Sequence, residues 1–302
     1  MTRPGMPPSW RRTSLVMLLA VVPTAACAQQ IDTTVAARPN ARVEIQNFAG
    51  TIVVRTWDRP AVRIVSPQGR RDEVRIRGVD ALITIASIGR AGVPARRDYE
   101  ITVPTRASLD IGGVYTAIDI QGARGSVSAT TVQGDVTLLG GDGVISLKSV
   151  EGTVTLRDAN GRVELNGVNK GLVLTNVDGD IAAETVNGSI QMDEVRSSDV
   201  EAVTVNGRVT YNGTIRDRGR YRFGTHNGGI TVTIPEAANA TIAAVTYMGT
   251  FSSRFALPRG VDSESSTPRR RVTFALGDGS ARIEAESFQG NIVLTRPASS
   301  GK

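Results

Sequence analysis

The middle of the chain repeats every nine residues, and that beat limits the fold more than any other feature. From Gly134 to Arg196 the sequence divides into GDVTLLGGD, GVISLKSVE, GTVTLRDAN, GRVELNGVN, KGLVLTNVD, GDIAAETVN and GSIQMDEVR. Glycine opens these units at Gly134, Gly143, Gly152, Gly161, Gly179 and Gly188, with Lys170 in the remaining slot. Two places on stand Val136, Ile145, Val154, Val163, Leu172, Ile181 and Ile190. Four places on stand Leu138, Leu147, Leu156, Leu165, Leu174, Ala183 and Met192. Seven places on, from the second unit, come Val150, Ala159, Val168, Val177, Val186 and Val195.

Two apolar residues at alternate positions make a short strand with one buried face. The third apolar residue precedes Asn-Gly, Asp-Gly or a similar pair, where the backbone turns a corner. A strand of about five residues buries too little apolar area to stand alone. Stacking identical units in register continues each inward column from coil to coil. The pattern therefore predicts an all-β, single-chain β-solenoid, β-helix-like, with coils of roughly 18 residues built from two nine-residue strand-corner units. A meander of antiparallel hairpins joined by Asn-Gly turns is the competing reading. A calcium-binding β-roll would need a recurring G-G-x-G-x-D pattern, and Gly140-Gly141-Asp142-Gly143 does not recur. Asp142, Asn160 and Asp178 fall at the coil spacing, and a column of corner Asn and Asp is read as structural, with no metal site.

The first 28 residues read as a signal peptide. Arg11 and Arg12 precede the apolar run from Ser14 to Val22, and Ala26-Cys27-Ala28 supplies small residues for cleavage before Gln29. That run is shorter than the ~20 residues a membrane span needs. Thr24-Ala25-Ala26-Cys27 also reads as a degenerate lipobox, which makes Cys27 a candidate lipidation site. The expected compartment is the periplasm or the cell surface, free or anchored through Cys27. Removing Arg3, Arg11 and Arg12 takes three cations from a formal +6 and leaves +3. Nucleic acid is a poor partner for an exported chain of such small charge.

Outside the repeat the alternation continues less regularly. Residues 29–40 are expected to be a short linker, 41–297 the solenoid with its regular core at 125–196, and 298–302 a tail. The polar segment 258–271 (PRGVDSESSTPRRR) is expected to leave the solenoid and return. Asn47-Phe48-Ala49-Gly50-Thr51-Ile52-Val53-Val54 with Trp57-Asp58, then Thr225-His226-Asn227-Gly228-Gly229-Ile230 with Ile234-Pro235, resembles the bacterial putative-adhesin family, an exported β-strand-repeat domain of unknown function. Thr246-Tyr247-Met248-Gly249-Thr250-Phe251 and Ser287-Phe288-Gln289-Gly290-Asn291-Ile292 resemble its later repeats. The resemblance implies an exported β-solenoid at the cell envelope and supplies no catalytic residues.

Catalytic chemistry finds little purchase. His226 is the only histidine and sits at a corner like those of the repeat. Cys27 falls in the expected signal peptide, and lysine is limited to Lys148, Lys170 and Lys302. Asp135 and Glu164 are the outward carboxylates an enzyme of the polysaccharide-acting β-helix kind would need, and they read better as solvated face residues. A non-catalytic binding or scaffold role, adhesin-like and without a cofactor, is the expectation. A carbohydrate-active enzyme and a self-assembling spacer are the alternatives. Expected partners are an envelope polymer, a surface glycan or a protein, and self-association is open. Arg216, Arg218, Arg220 and Arg222 alternate, so that on a strand all four would point one way. With Tyr221 they form the candidate binding residues; protection of a β edge is the competing role. Arg70, Arg71, Arg75 and Arg77 near the start and Arg269, Arg270 and Arg271 form further basic clusters. Tyr211, Tyr221, Phe223, Tyr247, Phe251, Phe255, Phe274 and Phe288 gather late, either as core or, for outward tyrosines, as a surface for sugar rings or protein.

Overall fold

The computed structural model describes residues 31–67, 74–87, 96–257 and 270–297. The expected signal peptide with Cys27, the tail, Arg70, Arg71 and Arg269 lie outside the described residues. The elements open with β1 (Ile31–Trp57), β2 (Ala61–Ser66), β3 (Val74–Ser87), β4 (Tyr99–Pro104), β5 (Ser108–Gln121), β6 (Val127–Thr131) and β7 (Val136–Leu139). The central elements are β8 (Asp142–Ser149), β9 (Val154–Gly167), β10 (Leu172–Thr185), β11 (Ile190–Val195), β12 (Asp199–Thr204) and β13 (Val209–Gly213). The chain ends with β14 (Arg220–Thr225), β15 (Ile230–Thr233), β16 (Ala240–Thr246), β17 (Phe251–Ser253), β18 (Arg270–Leu276), β19 (Ala281–Ser287) and β20 (Ile292–Thr295).

These strands wind into a flattened parallel solenoid with two faces. Val136 pairs with Val154, Val154 with Leu172, and Leu172 with Ile190 on one face. Val127 pairs with Ile145, Ile145 with Val163, and Val163 with Ile181 on the other. The coil is thus two nine-residue units, and the hairpin-meander reading gives way to parallel stacking. The inward residues are nearly all fully buried, including Leu138, Leu156, Leu174, Ile145 and Leu165. Each buried aliphatic side chain of this size contributes roughly 1.5–3 kcal/mol, so every coil adds several anchors to a continuous core.

The third apolar column does not behave as one column. Ala159, Val177 and Val195 point inward and are buried, whereas Val132, Val150, Val186 and Val205 are 37–46% exposed. Successive nine-residue units turn opposite corners of the flattened coil, and the two corners are built differently. At the second corner a threonine or serine hydroxyl turns inward and donates to a carbonyl of the coil below. Thr131 reaches Thr116 at 2.8 Å, Ser149 reaches Gly134 at 2.9 Å, Thr204 reaches Gly188 at 2.8 Å and Thr225 reaches Gly207 at 2.9 Å. The next residue then points out, followed by a polar residue and a glycine packed against the backbone below. An added Cβ on Gly152, Gly188, Gly207, Gly228 or Gly290 would strike the carbonyl of the coil beneath. Two coils exchange the parts: Gly113 and Gly167 replace the hydroxyl residue where Thr116 and Lys170 replace the glycine.

Both ends depart from chain order. At the start, the 42–57 stretch of β1 stacks directly on β5, and β3 and β4 lie beyond it. At the finish, β19 and β20 stack on β14 and β15, and β16 and β17 lie beyond them. The last coil in sequence therefore slides between two earlier ones. Antiparallel strands close the stack: β2 joins β1 and β4 at one end, and β18 joins β16 at the other. Such strands cover edges that parallel stacking leaves open to pairing. The expected linker at 29–40 is strand from Ile31 on, because Ile31–Ala36 pair with β2 and place Ile31 in the core. The expected excursion at 258–271 ends at Arg270, where β18 begins; the rest of it lies outside the described residues.

The late aromatics mostly fill the core. Tyr211, Tyr221, Phe223, Phe251, Phe255 and Phe274 are all buried. They occur where the coil lengthens: the step between stacked side chains is 18 residues from Asn169 to Asn187 and 21 from Asn206 to Asn227. A longer coil encloses a wider interior, and larger rings fill it.

Candidate binding face

The four arginines do not form one row. Only Arg220 and Arg222 lie on β14, where alternation points both outward. Arg216 and Arg218 belong to the turn before it, and Arg218 adopts a left-handed backbone with φ of 61°. All four are exposed, and three of their guanidinium groups are paired to carboxylates of earlier coils. Arg216 meets Asp178 at 3.0 Å, Arg220 meets Asp199 at 2.6 Å and Arg222 meets Glu201 at 3.1 Å. Exposed pairs of this kind add little to stability, because water and salt screen them. Their main effect is to neutralise the arginine row, which weakens it as a polyanion site.

Tyr221 is not a surface contact. It lies between two outward arginines on one strand, so its ring points into the core and is 1% exposed. Its hydroxyl donates to the Ser197 carbonyl at 2.6 Å and accepts from the Arg216 backbone N–H at 2.9 Å. Burial pushes its ionisation above the ordinary phenol range. Tyr211 beside it is shifted the same way by burial and by the neighbouring Tyr221, with ring centroids 6.0 Å apart. Both tyrosines are struck from the binding surface and placed in the core.

The other residues with candidate chemistry have visible tasks. Asp135 accepts the Thr153 backbone N–H at 2.7 Å and so caps the coil above. Glu164 accepts from Lys148 at 2.9 Å and from Asn166 at 2.9 Å, and the Lys148 bond holds its carboxyl below the usual range. Asp142, Asn160 and Asp178 do stack as a column. Among the described residues no group of three or more His, Cys, Asp or Glu is placed to hold a metal ion. No described helix is long and apolar enough to cross a membrane.

The interleaved coil builds a site the sequence does not announce. Because β19 stacks on β14, Glu284 and Glu286 lie directly above Arg222 and Gly224. Below Gly224 sits Val203, half-buried. Gly224 carries no side chain, so an open depression of about 570 Å3 forms over it. Arg222, Glu284 and Glu286 edge it on the strand side, and His226, Phe288 and Tyr247 wall it at the corner. The His226 and Phe288 rings stack 4.7 Å apart with planes 2° from parallel, and Tyr247 leans on Phe288 at 5.4 Å. This aromatic ladder follows from the coil spacing of about 4.8 Å, which equals a ring-stacking distance.

No family model matches the chain, and no curated protein matches it. Several solved structures match over most of the chain. A putative adhesin from Parabacteroides distasonis ATCC 8503 is 9% identical, with a TM-score of 0.44 over 88% of this chain and 97% of that one. One from Parabacteroides merdae ATCC 43184 is 11% identical, with a TM-score of 0.38 over 88% of this chain and 96% of that one. One from Bacteroides fragilis NCTC 9343 is 12% identical, with a TM-score of 0.30 over 88% of this chain and 97% of that one.

Proposed function

We propose that this chain is an exported, non-catalytic, adhesin-like binding module of the cell envelope, and that its ligand is a surface glycan held in the depression over Gly224. One observation carries this reading: hydrogen-bonding groups of both signs and an aromatic wall converge on a glycine-floored hollow in a rigid surface. Glu284 and Glu286 accept from sugar hydroxyls, Arg222 donates to them, and the ladder of His226, Phe288 and Tyr247 supplies apolar contact for the ring carbons. A solenoid face loses little conformational entropy when a ligand binds. The arginines are already paired to acids, so binding should depend little on salt, unlike capture of an anionic polymer.

The test is a filling mutation. A Cβ on Gly224 would meet only Val203 side-chain carbons at 3.5 Å or more, which is ordinary contact, so Gly224→Leu extends into the open hollow, and far-UV circular dichroism checks that the fold is kept. Residues 29–302 are incubated with isolated envelope polysaccharide fractions at low and high salt. Salt-resistant binding that Gly224→Leu lowers at least tenfold supports the proposal. Binding that Gly224→Leu leaves intact, or that salt alone removes, refutes the site.

A further inference from the structure

The depression over Gly224 does not stand alone on its face. There β8, β9, β10, β12, β14 and β19 stack in register, and each turns alternate side chains outward. Ala182 on β10 is half-buried and lies between Glu164 of one neighbouring coil and Glu201 of the other. Its methyl group is short beside those side chains, and a second hollow of about 440 Å3 opens over it. A third, of about 340 Å3, lies across β12, β14 and β19. The three share their rims. Asp199 and Glu201 line both the hollow over Ala182 and the middle one, and Arg222 and Glu284 line both the middle one and the depression over Gly224. The ion pairs on this path do not wall it off: Arg220 and Arg222 are in-register neighbours of Asp199 and Glu201, so each pair reaches from coil to coil along the stack. From Ser146 to Glu284 the path climbs five coils, about 24 Å at ~4.8 Å per coil.

We infer, resting on the reading of the Gly224 depression as a glycan site, that the ligand is an extended glycan chain without acidic sugars, laid along the stack with one part over Gly224 and another over Ala182. The shared rims give the chain one path, whereas a compact ligand fills a single hollow. Once one part of a chain is held, its next part binds without a second loss of translational freedom, so both hollows together bind far more tightly than either. The charge on the path excludes an acidic chain. Carboxylates outnumber cations along the lining, and among the described residues Glu184 and Glu286 have no ion-pair partner. An acidic polymer is repelled there, whereas sugar hydroxyls donate to those carboxylates.

The test titrates residues 29–302 with envelope polysaccharide fractions and with their fragments, cut by partial hydrolysis and sorted by size. Affinity should rise at least tenfold from the shortest fragments to the longest and then level off. Ala182→Trp, which fills the second hollow, should lower the affinity for long fragments at least tenfold and leave the shortest unchanged. Glu184→Ala, at an exposed position lining the same hollow, should lower the affinity for long fragments at least threefold. Far-UV circular dichroism checks the fold of both variants. Gly224→Leu should weaken long and short fragments alike. Affinity independent of length, long fragments that bind both Ala182 and Glu184 variants as they bind the wild type, or tighter binding of acidic fragments than of neutral ones would each overturn this inference and leave the Gly224 site standing. Binding that Gly224→Leu leaves intact, or no binding by any fraction, would overturn both.

Discussion

Replacing Gly207 with alanine tests how closely the coils stack. The new Cβ would lie 2.6 Å from the Gly188 carbonyl carbon, closer still to its oxygen, and 3.0 Å from the Ser189 nitrogen. All three are backbone atoms, so no side chain can rotate away. Restoring ordinary contact requires the two coils to part locally by about 1 Å. The same corner holds the Thr204 hydroxyl to Gly188 at 2.8 Å and the Asn206 N–H to Val186 at 2.6 Å. Parting by that amount breaks both, at about 1 kcal/mol each, on top of about 1–3 kcal/mol of overpacking strain. The expected loss is about 3–5 kcal/mol. With a urea slope near ~3 kcal/mol/M for a chain of this size, the midpoint falls by roughly 1–1.7 M. Gly224→Ala is the control: its Cβ has room, and the restricted unfolded chain makes it neutral or up to about 1 kcal/mol more stable. Urea unfolding followed by circular dichroism, with the slopes compared, reads both. If Gly207→Ala lies within about 0.5 kcal/mol of the wild type, the close-stacking argument is wrong.

Thr204→Val keeps the shape and removes the hydroxyl ladder at one corner, so it should cost about 1–2 kcal/mol in the same urea assay. Arg220→Ala with Arg222→Ala removes two exposed ion pairs and should leave the urea midpoint nearly unchanged, while Tyr221→Phe, which loses two buried hydrogen bonds, should lower it. Tyr211 and Tyr221 have raised folded-state ionisation. Stability is therefore full below the ordinary phenol range near ~10 and falls as pH rises above it, because only the unfolded state gives up those protons there. Ultraviolet titration should show these two phenols ionising late and together with unfolding. Ionisation near the ordinary value in the folded protein would contradict their burial.

Much of this architecture is legible before folding, because coil stacking demands the same residue at the same corner each time. The strand columns at Val136 and Leu138 and the 18-residue coil follow from that demand alone. Other features are legible but easily misread. A nine-residue count merges two corners that an 18-residue count separates, and only the second corner carries Thr or Ser, an apolar residue, a polar residue and Gly. That motif stands plainly in Thr185-Val186-Asn187-Gly188 and Thr204-Val205-Asn206-Gly207. Likewise, if Arg220 and Arg222 point outward, strand alternation already turns Tyr221 inward. The depression is different. Its floor at Gly224 and its rim at Glu284 and Glu286 are distant in sequence and meet only because the last coil inserts out of order. Nothing local in either segment encodes that neighbour.

The insertion is therefore the claim on which the site depends, and a distance measurement tests it directly. Ser146, Glu164, Ala182, Glu201, Arg222, Glu284 and Ala243 form one outward column in that spatial order. Spin labels at Ser146 and Glu284 should lie about 24 Å apart, and at Ser146 and Ala243 about 29 Å, at ~4.8 Å per coil. Paired electron resonance should find residue 284 nearer to residue 146 than residue 243 is. The reverse order would place the coils in chain sequence, separate Glu284 and Glu286 from Gly224, and contradict the account.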